Sequence, residues 1–254
     1  MSSKTNKKKK TTARHIQGAL LEYASPERKM SNEWFFKTGK GEYGEGDKFI
    51  GVRVPHIRTV AKQYLDTPYT EIKKLLQSAI HEHRLAGLLI LVERYKKATR
   101  EEQKKIVAFY YDNIDRVNNW DLVDLSASQI VGDYVKKYGG VKKLLSLVHS
   151  KNMWKRRVSI VGSGAFIRDG NFEHTLSLSE KLLKDKEDLM HKATGWMLRE
   201  VGKRDRKKLV TFLEKHSKNM PRTMLRYAIE HFPANERKKW LKKKSNTLKQ
   251  RRRK

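Results

Sequence analysis

A chain of 254 residues with 37 % hydrophobic content can bury a sizeable core in one or two domains, which excludes a wholly disordered chain. Its formal charge is +30, from 58 Lys and Arg against 28 Asp and Glu, so a polyanionic partner is expected, with nucleic acid ahead of an anionic membrane or an acidic protein. The absence of Cys excludes disulfides, a thiolate nucleophile and Cys-ligated zinc.

The chain opens MSSKTNKKKK, which has no apolar segment suited to a signal peptide. Six of the first 14 residues are basic, eleven of residues 237–254 are basic, and neither end contains Asp or Glu. With those 17 set aside, 41 basic residues face 28 acidic ones over 15–236, a net of +13, so the folded body is itself basic. The reading is a basic disordered tail over 1–14, a folded domain over 15–240 and a second basic tail over 241–254. Such tails serve as nuclear address signals in a eukaryote or as DNA-gripping arms in a prokaryote, and the residues do not choose between them. The longest apolar run, Leu88–Val92, is too short to span a bilayer, so an intracellular, soluble protein without a membrane partner is expected.

Helical periodicity begins near Arg14, with apolar residues three and four apart over His15–Tyr23. The stretch Thr38–Gly51, TGKGEYGEGDKFIG, contains five glycines and breaks the pattern. It lacks the Gly, Lys, Ser/Thr order of a Walker A loop and follows no strand, so it reads as a mobile loop whose backbone N–H groups could meet a phosphate. Periodicity resumes over Pro55–Leu65 and Glu82–Tyr95, and no convincing strand pair appears.

Helices expected to begin near Glu82, Asn118, Asn152, Glu187 and Met220 are separated by 36, 34, 35 and 33 residues, with a shorter helix between each pair. That period is the signature of stacked helix pairs; the TPR residue pattern is absent, which predicts an all-α fold, a curved α-solenoid of HEAT-like helical repeats. Residues at equivalent points then share a column: Arg84, Arg157 and Lys192 are expected to line one edge of a groove as a ladder of cations for a phosphate backbone. Asp124 lies 33 residues before Arg157 and is expected to face the same groove.

An acidic helix start inside so basic a chain, Asn118 to Asp124 (NNWDLVD), calls for a reason, because a surface built only to hold phosphate would exclude carboxylates. Trp120 and Asp124 are one helical turn apart and point the same way. A carboxylate beside an indole stabilises a transient cation through Coulombic attraction and a cation–π face. Asp121, in the first turn, reads instead as a charge favoured by the helix dipole. The next repeat opens with Trp154, Lys155, Arg156 and Arg157, and the following one carries Lys192 and Trp196. These Trp residues suit core packing as well as a site, and spacing alone leaves both open. His81 and His83 flank Glu82 without the HExxH spacing, so no metal site is read there, and Gly162–Ser163–Gly164 is not a nucleophile elbow.

WDLVD (Trp120–Asp124), NMWKRR (Asn152–Arg157) and KATGWMLRE (Lys192–Glu200), in that order and one repeat apart, resemble the AlkD family of DNA alkylation repair glycosylases. The resemblance extends upstream to Phe49, Gly51, Val52 and Pro55 and downstream over Arg222 to His231, covering residues 15–240. It implies a HEAT-like solenoid holding duplex DNA in a basic concave face and excising positively charged N3- and N7-alkylated purines without metal or cofactor; separately, a monomer is expected. Carried over by position, Asp124 is the catalytic carboxylate, and Trp120 and Trp196 contact the lesion's deoxyribose and backbone. Arg157 is a phosphate contact beside the site, with Arg156, Arg84, Lys192 and Trp154 also on the DNA-binding side. The family is thought to leave the damaged base in the stack rather than flip it.

The chemistry suits those residues. An alkylated purine already carries positive charge and leaves without protonation, so stabilising an oxocarbenium-like sugar and positioning a water suffices. The glycine-rich loop is longer than in the best-known members, and both tails are additions to the family pattern. Some relatives bind branched DNA without excision, so a non-catalytic, structure-specific DNA-binding protein is the alternative, with a protein-binding or RNA-binding HEAT scaffold a more distant one.

Overall fold

The computed structural model describes residues 11–242. Most of both predicted tails therefore lies outside the described residues. The chain divides into two compact units between Leu122 and Val123. The fold is all-α, and among the described residues the only strand-like pairing is an isolated bridge between Lys48 and Ile80. No described helix is long and apolar enough to cross a membrane.

The first unit contains α1 (Ala13–Leu21), α2 (Pro26–Phe35), α3 (Val54–Gln63), α4 (Tyr69–Gln77), α5 (His81–Lys97) and α6 (Arg100–Asp112), and ends within α7 (Trp120–Asp124). Helix α1 starts at Ala13, two residues ahead of the predicted domain start, because Thr12 and His15 form a reciprocal capping box that satisfies the first free N–H groups. Ser25 caps α2, which Pro26 opens with a φ already suited to a helix. Helix α5 packs against α3 and α4, and its first twelve residues are all buried, charged ones included. A helix enclosed on every side must place its polar first turn, His81 to Arg84, inside the protein, and those groups then require internal partners.

The second unit contains α8 (Asp133–Tyr138), α9 (Val141–Ser146), α10 (Met153–Gly162), α11 (Gly164–Ile167), α12 (Glu173–Lys181), α13 (Asp188–Arg204), α14 (Arg206–His216), α15 (Arg222–Ala228) and α16 (Ala234–Lys242). Asn152 and Asp205 cap α10 and α14 through their side chains. Helix α13 packs against α10, α14 and α15, and Leu198, Leu209, Leu213, Met224 and Leu225 belong to one core. Gly195 permits the close approach of α15: a Cβ there would lie 2.5 Å from the Met224 carbonyl oxygen and 2.5 Å from Tyr227 Cβ.

The long-period pattern is preserved. Helices α5, α7, α10, α13 and α15 start at residues 81, 120, 153, 188 and 222, steps of 39, 33, 35 and 34. The first step is longer than predicted because a 3-10 turn, Ile114–Arg116, and an extended link precede α7.

Candidate functional site

In the first unit, the glycine-rich loop returns to α5 through the bridge at Lys48, whose N–H donates to the Ala79 carbonyl at 3.0 Å and whose carbonyl accepts from His81 N–H at 2.8 Å. That registration sets Asp47 against the buried first turn of α5. Asp47 Oδ1 accepts from Arg84 Nη2 at 2.6 Å, and Asp47 Oδ2 lies 3.2 Å from His81 Nδ1 and accepts from Asn119 Nδ2 at 3.0 Å. The other His81 nitrogen, Nε2, lies 2.8 Å from Asp121 Oδ2. Burial disfavours the imidazolium, yet the Asp121 charge and hydrogen bond, with the Asp47 hydrogen bond, raise His81 to about 9. Burial works against the Asp47 carboxylate as well, but His81, Arg84 and Asn119 together hold its pKa below the usual value. The result is a buried set of two carboxylates and two cations that fastens residues 119 and 121 to α5.

Trp120 sits between those two anchors. Its N–H donates to Asn119 Oδ1 at 2.8 Å, its ring stacks on Phe36 at a centroid distance of 5.2 Å and 9°, and Phe35 meets it edge-on at 5.9 Å. Phe36 also packs on Phe49 and on the His81 ring. The indole is half-buried and fixed by aromatic contacts on one side and backbone anchoring on the other.

In the second unit, Arg157 of α10 donates from Nε to Asp124 Oδ1 at 2.9 Å and from Nη2 to Asp124 Oδ2 at 2.8 Å, a bidentate pair, and from Nη1 to the Leu189 carbonyl at 2.6 Å. The Asp124 side chain is 17 % exposed and that of Arg157 5 %. One guanidinium thus ties the end of α7 to the start of α13 and orients a carboxylate that still reaches solvent. Arg156 faces elsewhere, bidentate to Asp185 at 2.7 and 3.1 Å and donating to the carbonyls of Ser150 and Lys151. Lys192 keeps 41 % of its side chain exposed and pairs with Asp188 at 2.9 Å. Trp196 is half-buried on α13, directly after Gly195.

Several expectations are corrected by this placement. Arg84 is 1 % exposed and enclosed with Asp47 and two carbonyls, so it is not the open cation of a surface ladder; burial lowers its pKa, which Asp47 opposes. Trp154 is buried, the packing alternative for that ring. Arg157 faces a carboxylate rather than open solvent, and of the three ladder positions only Lys192 is exposed beyond a third of its side chain. Asp121 does lie in the first turn of its helix, where its Oδ1 accepts from Leu122 N–H, and it is in addition a buried partner of His81. The loop N–H groups do converge on an anion, but an internal one: Ile50, Gly51 and Val52 donate to the Glu82 carboxylate at 2.8–3.3 Å. The network around His81 was missed because Asp47 lies 34 residues away in a loop. The one available signal was the density of ionisable residues, His81 to Arg84, in an otherwise apolar helix.

A family model described as DNA alkylation repair enzyme matches residues 16–232. A solved structure described as a predicted DNA alkylation repair enzyme from Enterococcus faecalis is similar over 83 % of this chain and 97 % of its own, at 18 % identity and a TM-score of 0.66, a likeness of fold. Among curated proteins there is no match to this chain.

Proposed function

Because the chain belongs to the DNA alkylation repair enzyme family, we propose that it is a DNA glycosylase that excises cationic N3- and N7-alkylated purines from duplex DNA, with Asp124 as the catalytic carboxylate. The observation that carries this reading is the bidentate hold of Arg157 on a partly exposed Asp124. Such a clamp fixes both oxygens of a single anion in a basic protein, which suits stabilising positive charge as it develops on a nearby sugar.

In this reading the N-glycosidic bond breaks with its electron pair passing to the purine, whose positive charge is thereby neutralised. The sugar is left as an oxocarbenium ion that Asp124 stabilises electrostatically. Water adds at the anomeric carbon and loses a proton, giving an abasic sugar. Trp120 and Trp196 contribute aromatic faces to the sugar and backbone. No acid is needed for the leaving group, so one carboxylate serves where ordinary glycoside hydrolysis uses two.

The test is release of 7-methylguanine or 3-methyladenine from methylated duplex DNA by the wild type and by Asp124→Asn. Release by the wild type, lost in the variant while DNA binding persists, supports the reading. A wild type that binds DNA and releases no base refutes it. A second reading, structure-specific DNA binding without excision, is favoured by the engagement of both Asp124 oxygens with Arg157, which already compensates the anion. Tighter binding to a four-way junction than to duplex of equal length, unchanged by Asp124→Asn, would support that reading.

A further inference from the structure

The first unit carries an aromatic face that the chemistry above does not use. In α2 no residue is buried, and Trp34 is 82 % exposed, Met30 65 % and Phe35 55 %. An apolar group of this size standing in water is costly to keep unless it meets a partner. It is also rigidly mounted. Beyond α2, Thr38 N–H and Oγ1 donate to the Glu33 carbonyl, Lys37 N–H to the Trp34 carbonyl and Tyr43 Oη to the Phe35 carbonyl. Lys37 takes the left-handed conformation, φ 52°, that turns the chain back and closes the helix end.

Glu27 and Ser31 on the Trp34 side of α2 border a cleft whose lining holds one carboxylate and two arginines, with Arg28 on the adjoining face of the helix. Residues 27, 31, 34 and 35 follow the i, i+4, i+7, i+8 spacing of one helix face. Glu27, Arg28 and Ser31 line a cleft of about 400 Å³ with Tyr23, Arg53 and His56. The Tyr23 and His56 rings stack at 4.5 Å across it. Neither the Arg28 nor the Arg53 guanidinium forms an ion pair or a hydrogen bond with the described residues, unlike the buried Arg84. Arg28 and Trp34 are separated by about 9 Å along the helix axis and about 120° around it, so a strand meeting both wraps the helix over two to three nucleotide steps. A partner offering a phosphate at that distance from a stackable ring is a nucleic-acid strand; a lipid headgroup or an acidic peptide supplies the anion without the repeat of bases.

We propose that the α2 face is a second DNA contact, in which Arg28 and Arg53 clamp a backbone phosphate in the cleft while Trp34 stacks on or wedges against a base of the same duplex. Phe35 links this face to Trp120 by their edge contact. The proposal rests on the reading of the protein as a DNA-binding one but not on excision: it is a grip on undamaged DNA as well.

The experiment is equilibrium binding of the full chain to an undamaged, fluorescein-labelled duplex across a salt series, for the wild type, Trp34→Ala and Arg28→Ala/Arg53→Ala. All three side chains lie at the surface, and thermal unfolding checks that each variant is folded. Loss of a stacking contact is expected to weaken Trp34→Ala about 5- to 100-fold without altering the slope of log K against log salt. The arginine variant is expected to lose affinity and about one to two units of that slope. Affinity within twofold of wild type in both variants overturns the proposal and leaves excision standing. A wild type that does not bind the duplex overturns both. Loss of binding to phosphatidylserine vesicles, or of self-association in sedimentation, with duplex affinity intact, assigns the face to a membrane or to a second copy and also overturns it.

Discussion

The Asp124 carboxylate and the Arg157 guanidinium face one another through two near-parallel hydrogen bonds of 2.9 and 2.8 Å, and the third donor of the fork is held by the Leu189 carbonyl. Removing Asp124 leaves a buried guanidinium with one neutral partner. Asp124→Ala is therefore expected to cost about 3 kcal/mol of stability, the order found when one member of a buried pair is removed. Asp124→Asn keeps one acceptor oxygen and costs less. Urea unfolding of the two variants checks the order, and equal losses would show that the pair does not brace α10.

His81 and His83, two residues apart, have pKa values shifted in opposite directions. His81 is raised to about 9, so its contribution to stability is complete below the unfolded value near 6.5 and disappears as pH rises through 9. His83 is lowered to about 4 by burial and by Arg84, so between 6.5 and 4 the unfolded chain takes up the proton first and stability falls with acidification. Stability is expected to peak near pH 6.5, with His81 contributing a decline of at most about 1.4 kcal/mol per pH unit on the alkaline side. Denaturant midpoints at pH 5, 6.5 and 9 check the shape. His81→Gln is expected to flatten the alkaline limb, and an unchanged limb would show that His81 is not the group responsible.

Glu82 accepts from three consecutive backbone N–H groups at the end of the glycine-rich loop. Glu82→Ala leaves those donors without their acceptor and is expected to destabilise the protein by about 2–4 kcal/mol. Trypsin should then cut at Lys40 or Lys48 more quickly than in the wild type. Unchanged cleavage would mean that the bridge at Lys48 holds the loop alone.

Gly195 is fixed by space rather than by φ. A methyl group there meets the Met224 carbonyl oxygen and Tyr227 Cβ at 2.5 Å, and neither is the free end of a flexible chain. Gly195→Ala is expected to separate α13 from α15 at a cost of about 1–3 kcal/mol and to shift the adjacent Trp196. Thermal unfolding and Trp196 fluorescence measure the two effects, and a variant of wild-type stability would show that α15 can yield.

The sequence by itself determined the all-helical class, the spacing near 34 residues and the family, because helical period, caps and motif order are local properties of the chain. It also placed Asp124 and Arg157 in one column, and in a helical repeat equivalent positions become neighbours. Tertiary structure alone decided which charges are open and which are enclosed. Arg84, Arg157 and Lys192 are indistinguishable as cations in the sequence, yet one is sealed with Asp47, one clamps the partly exposed Asp124 and one pairs with Asp188 while keeping 41 % of its side chain exposed. Burial and long-range pairing decide that outcome: a loop residue 34 positions from His81 supplies one of its two counter-charges, and no local pattern encodes so distant a partner.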